Sequence, residues 1–290
     1  MRAQDTARLI GLALLWSFSF LFIRAAVAGF GAVGVVLLRV GIAALFLHGY
    51  ALVTRQDLAL RTHWRHYIVL GLFQTAVPFL LFALALKDIG ASFGSIINAT
   101  SPLFGLIIAI AIGDEAPRWQ RIVGIALGII GVGALVGIDN NETATHLPAI
   151  VLGLGATLSY GIASNYTRRY VRNAPSLGMA TYSQTFAALM MIPLLWMNAP
   201  SAPITTNAIL AVVALGALST RLAYLLFFRL VVDVGPTASL AVTFLIPLGA
   251  MAWGMMFLDE TITLTMIVGC LLVFVGTILT VSTPKSAPTG

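Results

Sequence analysis

The sequence predicts an all-α polytopic membrane protein, with ten transmembrane helices arranged as two inverted five-helix repeats. Three observations lead there. The 290 residues are 59% apolar and only 9% charged, with a mean hydropathy of +0.99; a soluble domain is about a quarter charged. A chain this poor in charge cannot clothe a water-facing surface. Its apolar residues fall into runs of about 20, each long enough to cross roughly 30 Å of hydrocarbon. One segment also occurs twice: "SFGSIINATSPLFGLIIAIAIGDE", from Ser92 to Glu115, returns as "TASLAVTFLIPLGAMAWGMMFLDE", from Thr237 to Glu260.

The first five spans are expected at 8–27, 31–53, 66–86, 91–113 and 118–138. Gly29 and Gly31 divide the first two. Ala26-Val27-Ala28 resembles a signal cleavage site, but another apolar span follows at once and Arg24 interrupts the approach, so the first run is read as a span. The charged stretch Arg55 to Arg65 closes the second span, Lys87-Asp88-Ile89-Gly90 the third, Asp114 to Pro117 the fourth and Asp139 to Glu142 the fifth. The other five are expected at 148–168, 178–198, 207–230, 236–257 and 262–282. Their breaks are Arg168 to Pro175, Asn198 to Pro203, Asp233 to Pro236 and Asp259-Glu260. Every connection is short, so neighbouring spans run antiparallel. The polar tail from Thr283 to Gly290 is read as disordered.

Charge sets the orientation. With the N-terminus in the cytoplasm, twelve of the sixteen Lys and Arg fall inside, which places both termini there. The net charge of +6 is then a topology signal and needs no nucleic-acid partner. Cys270 is the single cysteine, so an internal disulfide is excluded.

At an offset of 145, Gly71 meets Gly216, Thr75 meets Thr220, Pro102 meets Pro247, Asp114-Glu115 meets Asp259-Glu260, and Gly131 meets Gly276. At an offset of 144, Trp16 meets Tyr160 and Arg24 meets Arg168. The repeats are therefore expected over 8–138 and 148–282. Each holds five spans, an odd number, so the second enters the membrane upside down. Inverted repeats with a site at their interface are a recurrent build of secondary transporters.

The chain also resembles the drug/metabolite transporter superfamily, in its ten-helix EamA family. "LLWSFSFLFIR" (Leu14 to Arg24), "LFALALKDIGASFGSIINATSPLFG" (Leu81 to Gly105), "AYLLFFRLVVDVGPTASLAVTFLIPLGA" (Ala223 to Ala250), and the closings "GDE" and "LDE" carry the likeness. It looks closest to the aromatic amino acid exporters of that family. The resemblance implies metabolite export through a central cavity lined by spans one, three, four, six, eight and nine, in a bacterial inner membrane.

All ten acidic residues lie in loops or at span ends. Many ion-driven carriers place an acid or His at mid-membrane. His48 is expected near the inner end of span two, facing the interface, with His63 and His66 in the first inner loop. The sequence thus favours facilitated, alternating-access export without a buried carboxylate relay; proton-coupled drug or metabolite export is the alternative. A small-solute channel is less favoured, because an inverted repeat suits alternating access better than a filter. No HExxH, GxSxG, CxxC or P-loop is present, so the chain is not read as an enzyme and no cofactor or metal is expected.

Polar and aromatic residues inside spans are the candidate binding groups for a small-molecule substrate. Trp16 and Phe20 lie one turn apart on span one, as do Tyr160 and Ser164 on span six. Gln74 and Phe82 share one face of span three; Thr220 and Tyr224 share one of span eight. Pro102 and Pro247 each remove a backbone hydrogen bond and free the carbonyl four residues back. Those carbonyls belong to Asn98 and Thr243, so paired hinges beside a cavity are expected, with the Asn98 amide able to grip a carboxylate or amine. Arg221 is a cation at depth with a carbonyl, water, headgroup or substrate carboxylate as partner; Arg39, in span two, reads as structural. Gly124, Gly128 and Gly131, with Gly269 and Gly276, read as close helix packing or a dimer face. The expected partners are lipid and substrate, with a monomer or weak homodimer as the assembly.

Overall fold

The computed structural model describes residues 3–136, 140–198, 200–223, 226, 230 and 242–281. Among them every regular element is helical. In order they are α1 (Ala3–Thr54), α2 (Leu60–Leu70), a π-helical turn (Gly71–Ala76), α3 (Val77–Ala85), α4 (Ala91–Asn98), α5 (Ser101–Ala111), α6 (Trp119–Val136), α7 (Asn140–Tyr170) and α8 (Ser176–Met191). A 3-10 turn (Pro193–Met197), α9 (Thr206–Gly216), a second π-helical turn (Ala217–Leu222), α10 (Val242–Phe257) and α11 (Leu264–Val281) complete the set. The boundary expected at Asp233 to Pro236 lies outside the described residues.

No loop separates the first two expected spans. The helix bends at Gly31, whose φ of 69° and ψ of 165° are open to glycine and strained for other residues. Both arms pack along the segment that begins with α9: Gly29 lies against Ile204 and Ala208, Ile42 against Gly216, and Gly11 against Leu226. The chain therefore folds back on itself at Gly31. Asn198 repairs the broken ladder, its Nδ2 donating to the Phe30 carbonyl at 2.8 Å and its Oδ1 accepting from the Val33 and Gly34 amides at 3.2 and 3.4 Å. The loop after α1 is also shorter than expected: α2 begins at Leu60, which places His63 and His66 on a helix.

The outside of the molecule is apolar. Leu45, Leu52, Ile129, Leu248 and Leu271 are exposed, whereas Ser17, Thr75, Ser92, Thr157 and Gln184 are buried. Among the described residues, four helical runs, 4–54, 60–85, 91–111 and 146–170, are long and apolar enough to cross a bilayer, and four shorter apolar helices accompany them. The central core gathers Phe20, Val36, Phe79, Leu86, Ala156, Leu215 and Ile246 from helices distant in sequence.

The small residues of α6 and α11 serve packing inside the chain. A Cβ on Gly124 would stand 2.6 Å from the Gly276 carbonyl oxygen, and one on Gly131 would stand 2.9 Å from that of Gly269. The glycine faces are thus spent on each other, which corrects the dimer-face reading of these residues.

Candidate functional site

Helix interruptions put polar backbone and side chains in the interior. α4 ends at Asn98 and α5 restarts at Ser101, with Pro102 in its first turn, where the missing N–H costs least. The Asn98 carbonyl accepts from Ser101 Oγ at 2.6 Å, and the Ala99 carbonyl accepts from Thr277 Oγ1 at 3.3 Å. The carbonyl expected to be freed by Pro102 is therefore held by the next serine. At Pro247 there is no matching break; it lies buried inside α10, which continues through it. The two prolines thus sit in different local structure: α5 begins at Pro102, while α10 runs through Pro247.

The two π-helical turns fall one position apart under the 145-residue offset. Such turns leave one peptide out of ordinary register and recur at functional sites. In the first, the Phe73 carbonyl accepts from Ser159 Oγ of α7 at 2.8 Å, and Gln74 reaches the interior. In the second, Thr220 Oγ1 donates to the Leu215 carbonyl at 3.0 Å and accepts from Arg39 Nε at 3.2 Å.

A cavity of about 630 Å³ lies between these elements. Trp16 and Phe20 reach it from α1, Gln74 from the π turn, Phe82 from α3, Asn98 and Pro102 from the α4–α5 break, Tyr160 and Ser164 from α7, and Thr243 from α10. Phe20 meets Phe82 edge to face at 5.7 Å between centroids, and Phe82 lies 6.5 Å from Tyr160, so three helices share one aromatic wall. The side chain of Arg221 and all of Tyr224 lie outside the described residues.

Sequence reasoning missed several lining residues. Arg39, read as structural, stands on the wall with its guanidinium carbon 3.7 Å above the Phe79 ring. Asn165 lines it too, its amide donating to the Gly105 and Gly161 carbonyls at 2.8 and 2.9 Å. Thr277 and Thr280 reach it from α11, the last helix, which the family likeness left outside the cavity. Their spacing of three along a helix was a usable signal. His48 is absent from the described lining. It pairs with Thr185 Oγ1 at 3.0 Å and meets Tyr182 edge-on.

The ends of the cavity differ. One reaches a charged cluster: Glu115 bridges Arg121 and Arg168, each at 3.0 Å, while Asp114 holds Arg168 at 3.1 Å. Glu115, Arg121 and Arg168 all line the cavity. Beyond the opposite end, outside the described lining, is the α3–α4 turn. It lies about 30 Å away along α4 and α5. There Arg24 donates to the Leu86 and Lys87 carbonyls at the C-terminus of α3. Glu260 accepts from the Ala91 and Ser92 amides at 2.6 and 3.0 Å and from Ser92 Oγ at 2.5 Å, at the N-terminus of α4. Each charge suits the helix end that it caps. Neither Arg24 nor Glu260 is among the described lining.

The model of the EamA-like transporter family matches residues 8–137 and again 147–282. The chain is similar to two Bacillus subtilis (strain 168) proteins named as uncharacterized transporters. YoaV is 24% identical, covering 92% of this chain and 93% of that one; YvbV is 26% identical, covering 95% and 90%. An S-adenosylmethionine uptake transporter of Rickettsia prowazekii (strain Madrid E) is 29% identical over 34% of this chain and 33% of its own length. A crystal structure of a protein 20% identical superposes with a TM-score of 0.64 over 96% of both chains, which shows a shared fold. With both matched segments packed around one interior cavity, the chain belongs to the EamA-like transporter family and is a membrane transporter.

Proposed function

We propose that the chain is a bacterial inner-membrane secondary transporter that exports amino acids or related small metabolites by alternating access. In this reading ten spans form two inverted halves, 8–138 and 148–282, with both termini cytoplasmic and the chain a monomer or weak homodimer. Trp16, Phe20, Gln74, Phe82, Asn98, Tyr160, Ser164 and Thr243 contact the substrate, together with Arg221 and Tyr224 of span eight. An apolar, aromatic wall with a few polar groups suits a medium-sized, partly apolar solute.

One observation carries the proposal. The cavity reaches the Glu115–Arg168 end and stops short of the turn that Arg24 and Glu260 hold. Arg24 and Arg168 match across the repeat, as do Glu115 and Glu260, yet they make different bonds at the two ends. Such a difference is what two inverted halves produce when one side of a carrier is open and the other shut. In this reading, with both termini cytoplasmic, the Glu115–Arg168 end faces the cytoplasm.

Glu115 on the cavity wall favours a second reading, proton-coupled export. Purified protein in liposomes, assayed by counterflow with labelled amino acids, tests both. Saturable exchange without a pH gradient is expected from facilitated transport. Strict dependence on the gradient establishes the coupled alternative, and an ohmic ion current establishes a channel.

A further inference from the structure

Two glutamates close the repeated segment, and they leave matched turns. The Glu115 amide donates to the Ala109 carbonyl and the Glu260 amide to that of Gly254, each at 3.1 Å. Ala109 and Gly254 are themselves 145 residues apart. The carboxylates differ in what they hold. Glu260 caps α4, while Glu115 stays with Arg121 and Arg168.

The seat of Glu260 suits a carboxylate. Its donors are the Ala91 amide, the Ser92 amide and the Ser92 hydroxyl. Charge-assisted bonds of this kind are roughly twice as strong as neutral ones, and a negative charge is favoured at a helix N-terminus. The seat also needs room. A Cβ on Gly254 would run into the Glu260 carboxylate and Ser92 Oγ.

The matched seat for Glu115 is poorer on two counts. The 145-residue offset puts Pro236 where Ala91 stands, Thr237 where Ser92 stands and Ala109 where Gly254 stands. Proline has no N–H, so one donor is lost. At the matched place the Ala109 methyl would fill the room that Gly254 leaves to the carboxylate. Pro236 and Thr237 lie outside the described residues; their identity alone makes the difference.

We propose that these unequal seats set the resting state of the carrier. Glu260 locks the α3–α4 end shut, and the Glu115 end stands open because its own seat is a donor short and crowded. This rests on the alternating-access reading above and goes beyond it by naming the residues that bias the cycle. Removing either inequality moves the population toward the state open at the α3–α4 end.

The test is labelling of single cysteines with a membrane-impermeant maleimide on a Cys270→Ala background, each rate taken relative to the denatured protein. Ile23 and Leu106 both line the cavity. Ile23→Cys, beside Arg24, reports the α3–α4 end in intact cells; Leu106→Cys reports the Glu115 end in inside-out vesicles. The parent is expected to label fast at Leu106→Cys and slowly at Ile23→Cys. Gly254→Ala and Ser92→Ala weaken the lock, and each is expected to raise the Ile23→Cys rate at least threefold. Ala109→Gly, at the far end, is expected to raise it as well, which local loosening of the α3–α4 turn would not do. Folding is followed by gel filtration. Equal rates at the two reporters in the parent overturn the proposal. So does an unchanged Ile23→Cys rate in folded Gly254→Ala or in folded Ala109→Gly. If Gly254→Ala does not fold, Ser92→Ala decides by the same criterion. Counterflow of a labelled amino-acid mixture in liposomes keeps the two failures apart. Exchange with unchanged labelling overturns the lock alone; no exchange overturns the transport reading as well.

Discussion

At Gly31 a single backbone angle decides how the first 54 residues are folded. A Cβ there would run into the Asn198 side chain, which is already bonded to the peptides on both sides of the bend. Gly31→Ala is expected to cost about 1–3 kcal/mol from the positive φ alone, read as a lower melting temperature in detergent. A melting temperature unchanged within a degree would contradict this account of the bend. In the cavity, Phe82 touches both Phe20 and Tyr160, so Phe82→Ala removes the centre of the aromatic wall. Its expected effect on transport is a rise in half-saturation of roughly tenfold, equivalent to about 1.4 kcal/mol of binding. Half-saturation equal to wild type would remove the wall from the binding site. The candidates Trp16, Phe20, Gln74, Phe82, Tyr160 and Ser164 were legible because helical-turn spacing picks out one face, and Asn98 and Thr243 because each stands four residues before a proline. Arg39 was not, since its sequence neighbours are apolar on every side and nothing local reports which way the helix is turned.

Among the elements, the helix ends do the most specific work. Glu260 satisfies two amides and a hydroxyl at the start of α4, a position that the repeated Asp-Glu marks but whose partner no spacing rule supplies. Glu260→Gln keeps the shape and removes the charge. It is expected to lower the melting temperature and to open the α3–α4 turn to labelling of a cysteine placed at Gly90, whose Cβ position now abuts the Glu260 carboxylate. Labelling at the wild-type rate would show that the cap does not hold this turn. In α6 and α11 the glycines are the contact. Gly131→Leu is expected to abolish the folded, monodisperse protein, because the added atoms would meet the Gly269 carbonyl and Leu272. Recovery of folded protein would contradict the glycine contact. The π-helical turns were invisible in the sequence: they insert one peptide into a helix whose residues all suit an α-helix, and only the bonds from Ser159 and Arg39 reveal what they expose.

For the whole molecule, the helical class and the approximate helix positions were legible because hydrocarbon demands long apolar runs with their backbone bonds satisfied internally. Boundaries moved where side chains substituted for a loop, as Asn198 does at the bend. Polarity of the two halves is the claim on which the transport reading stands. Gln56 and Ser201 occupy matched positions 145 residues apart, and both are exposed. On a background with Cys270→Ala, single cysteines at these two places should label from opposite sides of the membrane. A membrane-impermeant maleimide should reach Ser201→Cys in intact cells and Gln56→Cys only after permeabilisation. Labelling of both from the same side would contradict the inverted arrangement, and alternating access with it.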